Sequence, residues 1–244
     1  MFAKLLLVAL ATSPLVSAHG KVAAVVGDQG GNTTALGIQG GVVPGSGPNS
    51  KTEVDTTTFN GKSLKTDSLG ETTDTGKLKT DDLAQAMELS GSTLPQVAST
   101  INATFHVVTS DGCGPIKAVI DPTGTGAYSQ GTELSTLADV PGDDGECPKS
   151  ITKKSYIRSL LENSGVISKR ASNVNQDFNV AFSVPAGTTC TGTINGQSNV
   201  CLVKLANNNK NGPFGGNVAI QMTTAAAATN TTAKRGSVAQ PFSA

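Results

Sequence analysis

The sequence has no tryptophan and only two tyrosines among its 244 residues. Aromatic platforms, on which sugars or bases stack, are therefore scarce. Positive and negative side chains balance, with 18 of each, and no lysine or arginine cluster forms the basic face that nucleic acid requires. Beyond the first residues, no apolar run approaches the ~20 residues that span a bilayer. The last residues carry no hydrophobic tail of the kind a lipid-anchor signal needs. There is no G-x-S-x-G elbow for a hydrolase nucleophile and no C-x2-C pair for a zinc site. A carboxylate pair for glycoside hydrolysis stays open, because the 18 acidic residues allow many pairings. Histidine is almost absent: His19 and His106 are the only two.

What is present begins with a leader. Lys4 supplies the charge, Leu5 to Val16 the apolar core, and Val16-Ser17-Ala18 the small-residue exit. Residues 1–18 read as a signal peptide, residues 19–223 as one domain and residues 224–244 as a disordered Ala/Thr/Ser-rich tail. The protein is expected to be secreted, to the extracellular space or the cell surface, and monomeric, with no membrane span. Cys113, Cys147, Cys190 and Cys201 all fall in the exported part, so two disulfides are expected. Cys190–Cys201 closes a short loop, and Cys113–Cys147 follows by elimination. Sequons at Asn32, Asn102 and Asn230 permit glycosylation.

Short strands separated by turns dominate the pattern. Lys21–Gly27, Thr100–Ser110, Ile116–Ile120, Phe178–Val184, Val200–Leu205 and Asn217–Met222 read as strands. Ile116–Ile120 is expected to return beside Thr100–Ser110 after the Asp111–Pro115 turn. Asp81–Leu89 and a stretch around Tyr156–Leu161 read as short helices. Thr132–Pro148 reads as loop. Its acidic residues Asp143, Asp144 and Glu146 lack the ordered spacing of a calcium loop and suit a solvated turn. Lys169-Arg170 is a dibasic pair, either a processing site or an ordinary loop. The expected fold is mainly β: an immunoglobulin-like antiparallel β-sandwich with long loops and one or two short helices.

Cleavage after Ala18 puts His19 at a free terminus. Its α-amine and ring Nδ1 then close a six-membered chelate on one metal ion, displacing the proton of an amine whose pKa is about 7.7–8.0. A nitrogen of His106 completes three donors in a plane, a set that favours one copper(II) ion. Asp111, five residues on, is a candidate to orient or join the site, with capping of its own Asp-Gly turn as the plain alternative. Phe178, Phe182, Phe214 and Tyr128 are candidates for the axial position. No catalytic residue is assigned.

The blocks His19-Gly20-Lys21-Val22, Val26-Gly27-Asp28-Gln29-Gly30-Gly31 and Ala35-Leu36-Gly37-Ile38 resemble the start of a secreted fungal family, the appressorium-specific virulence factors (the Egh-like, GAS/MAS group). Phe105-His106 through Asp111-Gly112-Cys113-Gly114-Pro115 resembles a second block. Asn199 to Val203 followed by Gly212-Pro213-Phe214-Gly215-Gly216 resembles a third. Cys113 stands where the family usually has alanine, and Leu205 and Asn217 where many members carry cysteine. The resemblance implies a role at infection structures and the fungal surface. The two-histidine arrangement is also similar in logic to the histidine brace of lytic polysaccharide monooxygenases and their non-catalytic copper-binding relatives. Two readings follow: a copper-dependent oxidase of cell-wall polysaccharide (chitin or glucan), or a non-enzymatic protein binding copper, wall components or the host surface. N-terminal sequencing of the secreted protein should return His19 first; any other first residue removes the chelating amine.

Overall fold

The computed structural model describes residues 20–39, 53–61, 63–151 and 173–223. The expected leader, His19, the Tyr156–Leu161 helix, Lys169-Arg170, Asn230 and the 224–244 tail lie outside these residues. In chain order the elements are β1 (Gly20–Gly27), β2 (Gly30–Thr33), β3 (Thr57–Thr58), β4 (Glu71–Thr72), β5 (Gly76–Lys77), α1 (Leu83–Ser90), β6 (Gln96–Val97), β7 (Thr100–Thr109), β8 (Lys117–Asp121), β9 (Thr132–Ala138), β10 (Asn173–Ser183), β11 (Gly192–Ile194), β12 (Gln197–Ala206) and β13 (Phe214–Met222).

The strands pair almost entirely antiparallel, in the order β2-β1-β7-β10-β9-β8-β12-β13-β3-β4-β5. This sheet curls on itself into a sandwich. β9 makes the corner: Thr132 to Leu134 pair with β8, while Ser135, Thr136 and Ala138 pair with β10. Only Leu134 of its seven residues is buried. That explains why the stretch reads as loop: a strand wet on both faces shows no apolar alternation.

A second departure concerns Ile116–Ile120. β8 does not lie beside β7; its partners are β9 and β12. The Asp111–Pro115 turn carries the chain from one layer of the sandwich to the other. Alternation tells which face of a strand is buried, not which strand lies next to it.

The main core fills the space between the layers, with Val22, Ile101, Phe105, Val107 and Phe182 from one side and Cys201, Val203, Leu205 and Val218 from the other. A second apolar cluster covers the outer face of β12, where Val200 and Leu202 meet Leu36, Leu83 and Leu94. β12 is thus buried on both faces, which accounts for its apolar run from Val200 to Val203. In α1, Leu83 and Ala86 face this cluster, and Gly91, at φ +107°, ends the helix by donating its N–H to the Met87 carbonyl at 2.8 Å. Lys204 is buried there too, 4.2 Å from the centre of the Tyr128 ring, and burial pulls its pKa down to about 8.

Both expected disulfides are present, Cys113–Cys147 and Cys190–Cys201. Asp143 and Glu146 bridge across a turn, as read from the sequence. Two carboxylates organise other turns. Asp28 accepts from the N–H groups of Ala98, Ser99 and Thr100, tying the end of β1 to the start of β7. Asp121, at the end of β8, accepts from Thr123 N–H and hydroxyl and from the N–H groups of Thr125, Gly126 and Ala127. Burial alone would raise the Asp121 pKa, but the Thr123 hydroxyl and these amides hold it below the ordinary range. A depressed folded-state pKa stabilises above the unfolded value of about 3.9 and is lost as pH falls through the lower one. Asp121→Asn should therefore cost about 1–3 kcal/mol near neutral pH. Denaturant titrations should show that cost shrinking as acid protonates the wild-type carboxylate.

Candidate functional site

His106 lies near the end of β7, between β1 and β10. Antiparallel register puts Lys21 opposite it on one side and Asp177 opposite it on the other. Directly opposed residues share a face. Because Phe105 and Val107 point into the core, this row of Lys21, His106 and Asp177 lies on the outer face.

The imidazole is tied at one nitrogen. His106 Nδ1 is 2.6 Å from Asp177 Oδ1. Asp177 is mostly exposed, with 65% of its side chain accessible, and its carboxyl oxygen is placed to accept a proton carried on Nδ1. In the neutral tautomer with its proton on Nδ1, the ring carries a lone pair on Nε2. That atom is buried and has no hydrogen-bond partner among the described residues. A buried polar nitrogen without a partner is uncommon and calls for an explanation. A carboxylate on one ring nitrogen and a free lone pair on the other is the usual dress of a metal-binding histidine. His106 therefore fits a metal donor. Among the described residues no three His, Cys, Asp or Glu side chains gather as a metal set.

Beside His106, Lys21 is buried and its ammonium is gripped by Glu53 Oε2 at 2.6 Å and Asp55 Oδ1 at 2.9 Å. Burial pulls the ammonium pKa down, but the bonds and charges of Glu53 and Asp55 outweigh it and hold the pKa above the ordinary value. Both carboxylates are themselves buried, and Glu53 Oε1 has no hydrogen-bond partner among the described residues. Gly20, the first described residue, pairs with Val107. A Cβ there would collide with the Phe105 ring and lie 2.5 Å from the Gly112 carbonyl oxygen, so only glycine fits.

The remaining sequence candidates scatter. Asp111 sits in the turn after β7 and accepts the Thr109 hydroxyl at 2.8 Å. Burial raises its carboxyl pKa against that bond, with Glu146 adding repulsion. Phe178 and Phe182 do not join His106: they pair with Phe105 and Ile101 and point into the core, on the opposite face of the sheet. Tyr128 is fully buried in the other cluster, with its hydroxyl on Asn217 Oδ1. Phe214 is buried at the head of β13. Asn32 and Asn102 are exposed. Sequence reasoning missed Asp177, Lys21, Glu53 and Asp55. Asp177 had a signal: it precedes the inward alternation Phe178, Val180, Phe182, so it faces outward. The Lys21–Glu53 pairing, 32 residues apart, had none.

A family model described as Egh16-like virulence factor matches residues 17–215. The chain belongs to the Egh16-like virulence factor family. Relatives within reach include the appressoria-specific virulence factor GAS1 of Pyricularia oryzae (strain 70-15), 31% identical over 213 residues, covering 86% of this chain and 74% of that one. The appressoria-specific virulence factor GAS2 of the same fungus is 36% identical over 127 residues, 52% of this chain and 37% of that one. No solved structure matches. The family match spans His106, Asp177, Lys21, Glu53 and Asp55, and it reaches back past His19. No helix among the described residues is long and apolar enough to cross a membrane. The two disulfides are the chemistry of an oxidising compartment, consistent with an extracellular protein.

Asp177→Ala removes the acceptor that fixes the imidazole. Nitrogen NMR of His106 should move from the pure Nδ1–H form in the wild type toward a mixture of neutral tautomers, with little loss of fold because Asp177 is exposed.

Proposed function

We propose that this chain is a secreted virulence-associated protein that binds one copper ion through His19 and His106 and uses it to oxidise a wall polysaccharide, chitin or glucan, during host contact. The observation that carries the reading is the setting of His106: Nδ1 against Asp177, Nε2 buried and without a hydrogen-bond partner among the described residues. Nε2 is the protein donor from the strand, and the amine and ring of His19, after leader removal, are the other two. Asp177 holds the ring and its tautomer, so the lone pair needs no reorganisation on binding. The exposure of Asp177 puts this face of the sheet at the surface, within reach of a polymer. Copper in such a set supplies one-electron chemistry at a sugar C–H bond, with an external reductant and oxygen or peroxide as co-reactants. The relatives, appressoria-specific virulence factors, support a role in appressorial infection.

One observation favours a second reading, in which copper is held but nothing is oxidised. Phe59, Phe105, Tyr128, Phe182 and Phe214 are buried and Phe178 is half-buried, so the described residues offer no exposed ring for a sugar to stack on.

Secreted protein beginning at His19 should take up one equivalent of copper, and His106→Ala should weaken that binding by at least about a hundredfold. Copper-loaded protein with a reductant and chitin or glucan should release oxidised oligosaccharides, read by mass spectrometry. Tight copper without oxidised products leaves the second reading; no copper binding removes both.

A further inference from the structure

We infer that Lys21, gripped by Glu53 and Asp55, is the positioning residue that sets where the chain start lies relative to His106; the link to copper rests on the function proposed above. The argument begins with register. Ala24, Val25, Val26 and Gly27 pair with Thr104, Ala103, Asn102 and Ile101, but Gly20, Lys21 and Val22 pair with Val107, His106 and Phe105. Ala23 is the extra residue of a bulge between them. The first three residues are therefore one step out of the register that the rest of β1 would impose.

Without the bulge, that register continues differently. Val22 would stand opposite His106, and Lys21 would stand opposite Val107 in the core row. A one-residue slip exchanges the faces of a strand. Some interaction must hold the three residues in the bulged register, and it must distinguish the outer face from the inner. The Lys21 ammonium does so, because its two carboxylate partners lie 2.6 and 2.9 Å away on the outer side. Slipped inward, it would leave Glu53 and Asp55 buried without a counter-charge, which is strongly unfavourable. Gly20 and Val22 fit the bulged register: the first has no room for a side chain and the second is fully buried. Neither carries a charge that discriminates one face from the other. Lys21 touches no reacting group and acts through the backbone it pins.

Hydrogen exchange in the metal-free, full secreted chain tests this directly. Lys21→Met and the milder Glu53→Gln, which keeps the Asp55 bond, should raise exchange over residues 20–22 about tenfold, while residues 24–27 beyond the bulge keep their protection. Lys21→Arg should restore it. Copper affinity should fall by a similar factor in the same two variants, and Asp121→Asn, which weakens the fold elsewhere, should leave that affinity unchanged. Unaltered protection at residues 20–22, or loss spread evenly along β1, overturns the inference. If the wild type binds no copper, the functional proposal fails by itself and the exchange arm alone decides the clamp.

Discussion

The contact between β1 and β7 is the constraint from which the rest of the site derives. A single outer-face row carries Lys21, His106 and Asp177 on three adjacent strands. Its chemistry is divided by strand. β1 brings a buried cation with its own counter-charges, β7 brings the imidazole, and β10 brings the carboxylate beside its Nδ1. Because all three sit in a hydrogen-bonded ladder, their spacing is fixed by the sheet and not by loop conformation. The core beneath them, with Phe105, Val107 and Val22 on the inner face, keeps that ladder rigid.

The row also shows how a polar arrangement can be held at the edge of a sandwich. A buried ammonium is costly on its own, and two buried carboxylates cost more. Together they offset one another; among the described residues Glu53 Oε1 and His106 Nε2 have no hydrogen-bond partner. Elsewhere the fold satisfies its acids thoroughly: Asp28 and Asp121 each gather several amide donors. Thr34, Thr56, Thr57 and Thr223 also carry buried hydroxyls without a partner among the described residues, so it is the Asp177 contact on Nδ1 that singles out His106.

Much of this was readable from the sequence where side-chain period carries the information. β7 and β10 show strict alternation, so their inner faces were legible, as were both cysteine pairs and α1 with its Gly91 stop. The partner of β8 was not, because a strand's own pattern says nothing about its neighbour. β9 was invisible, since a corner strand with one buried residue has no pattern. The scarcity of histidine singled out His106, while its Asp177 partner came only with the fold. Phe178 and Phe182, proposed as axial groups, alternate with Asp177 and so lie on the far face of the sheet. Glu53 and Asp55 reach Lys21 only through the fold, and nothing local to them signals it.

The central claim is that His106 presents Nε2 to a copper ion shared with the processed chain start. Diffraction at the copper edge from crystals of the secreted, copper-loaded protein tests it most directly. The account predicts one anomalous peak within bonding distance of His106 Nε2 and of the amine and ring of His19, with Asp177 still on Nδ1. A peak elsewhere, or an Nε2 with no metal beside it while the chain begins at His19, would contradict it.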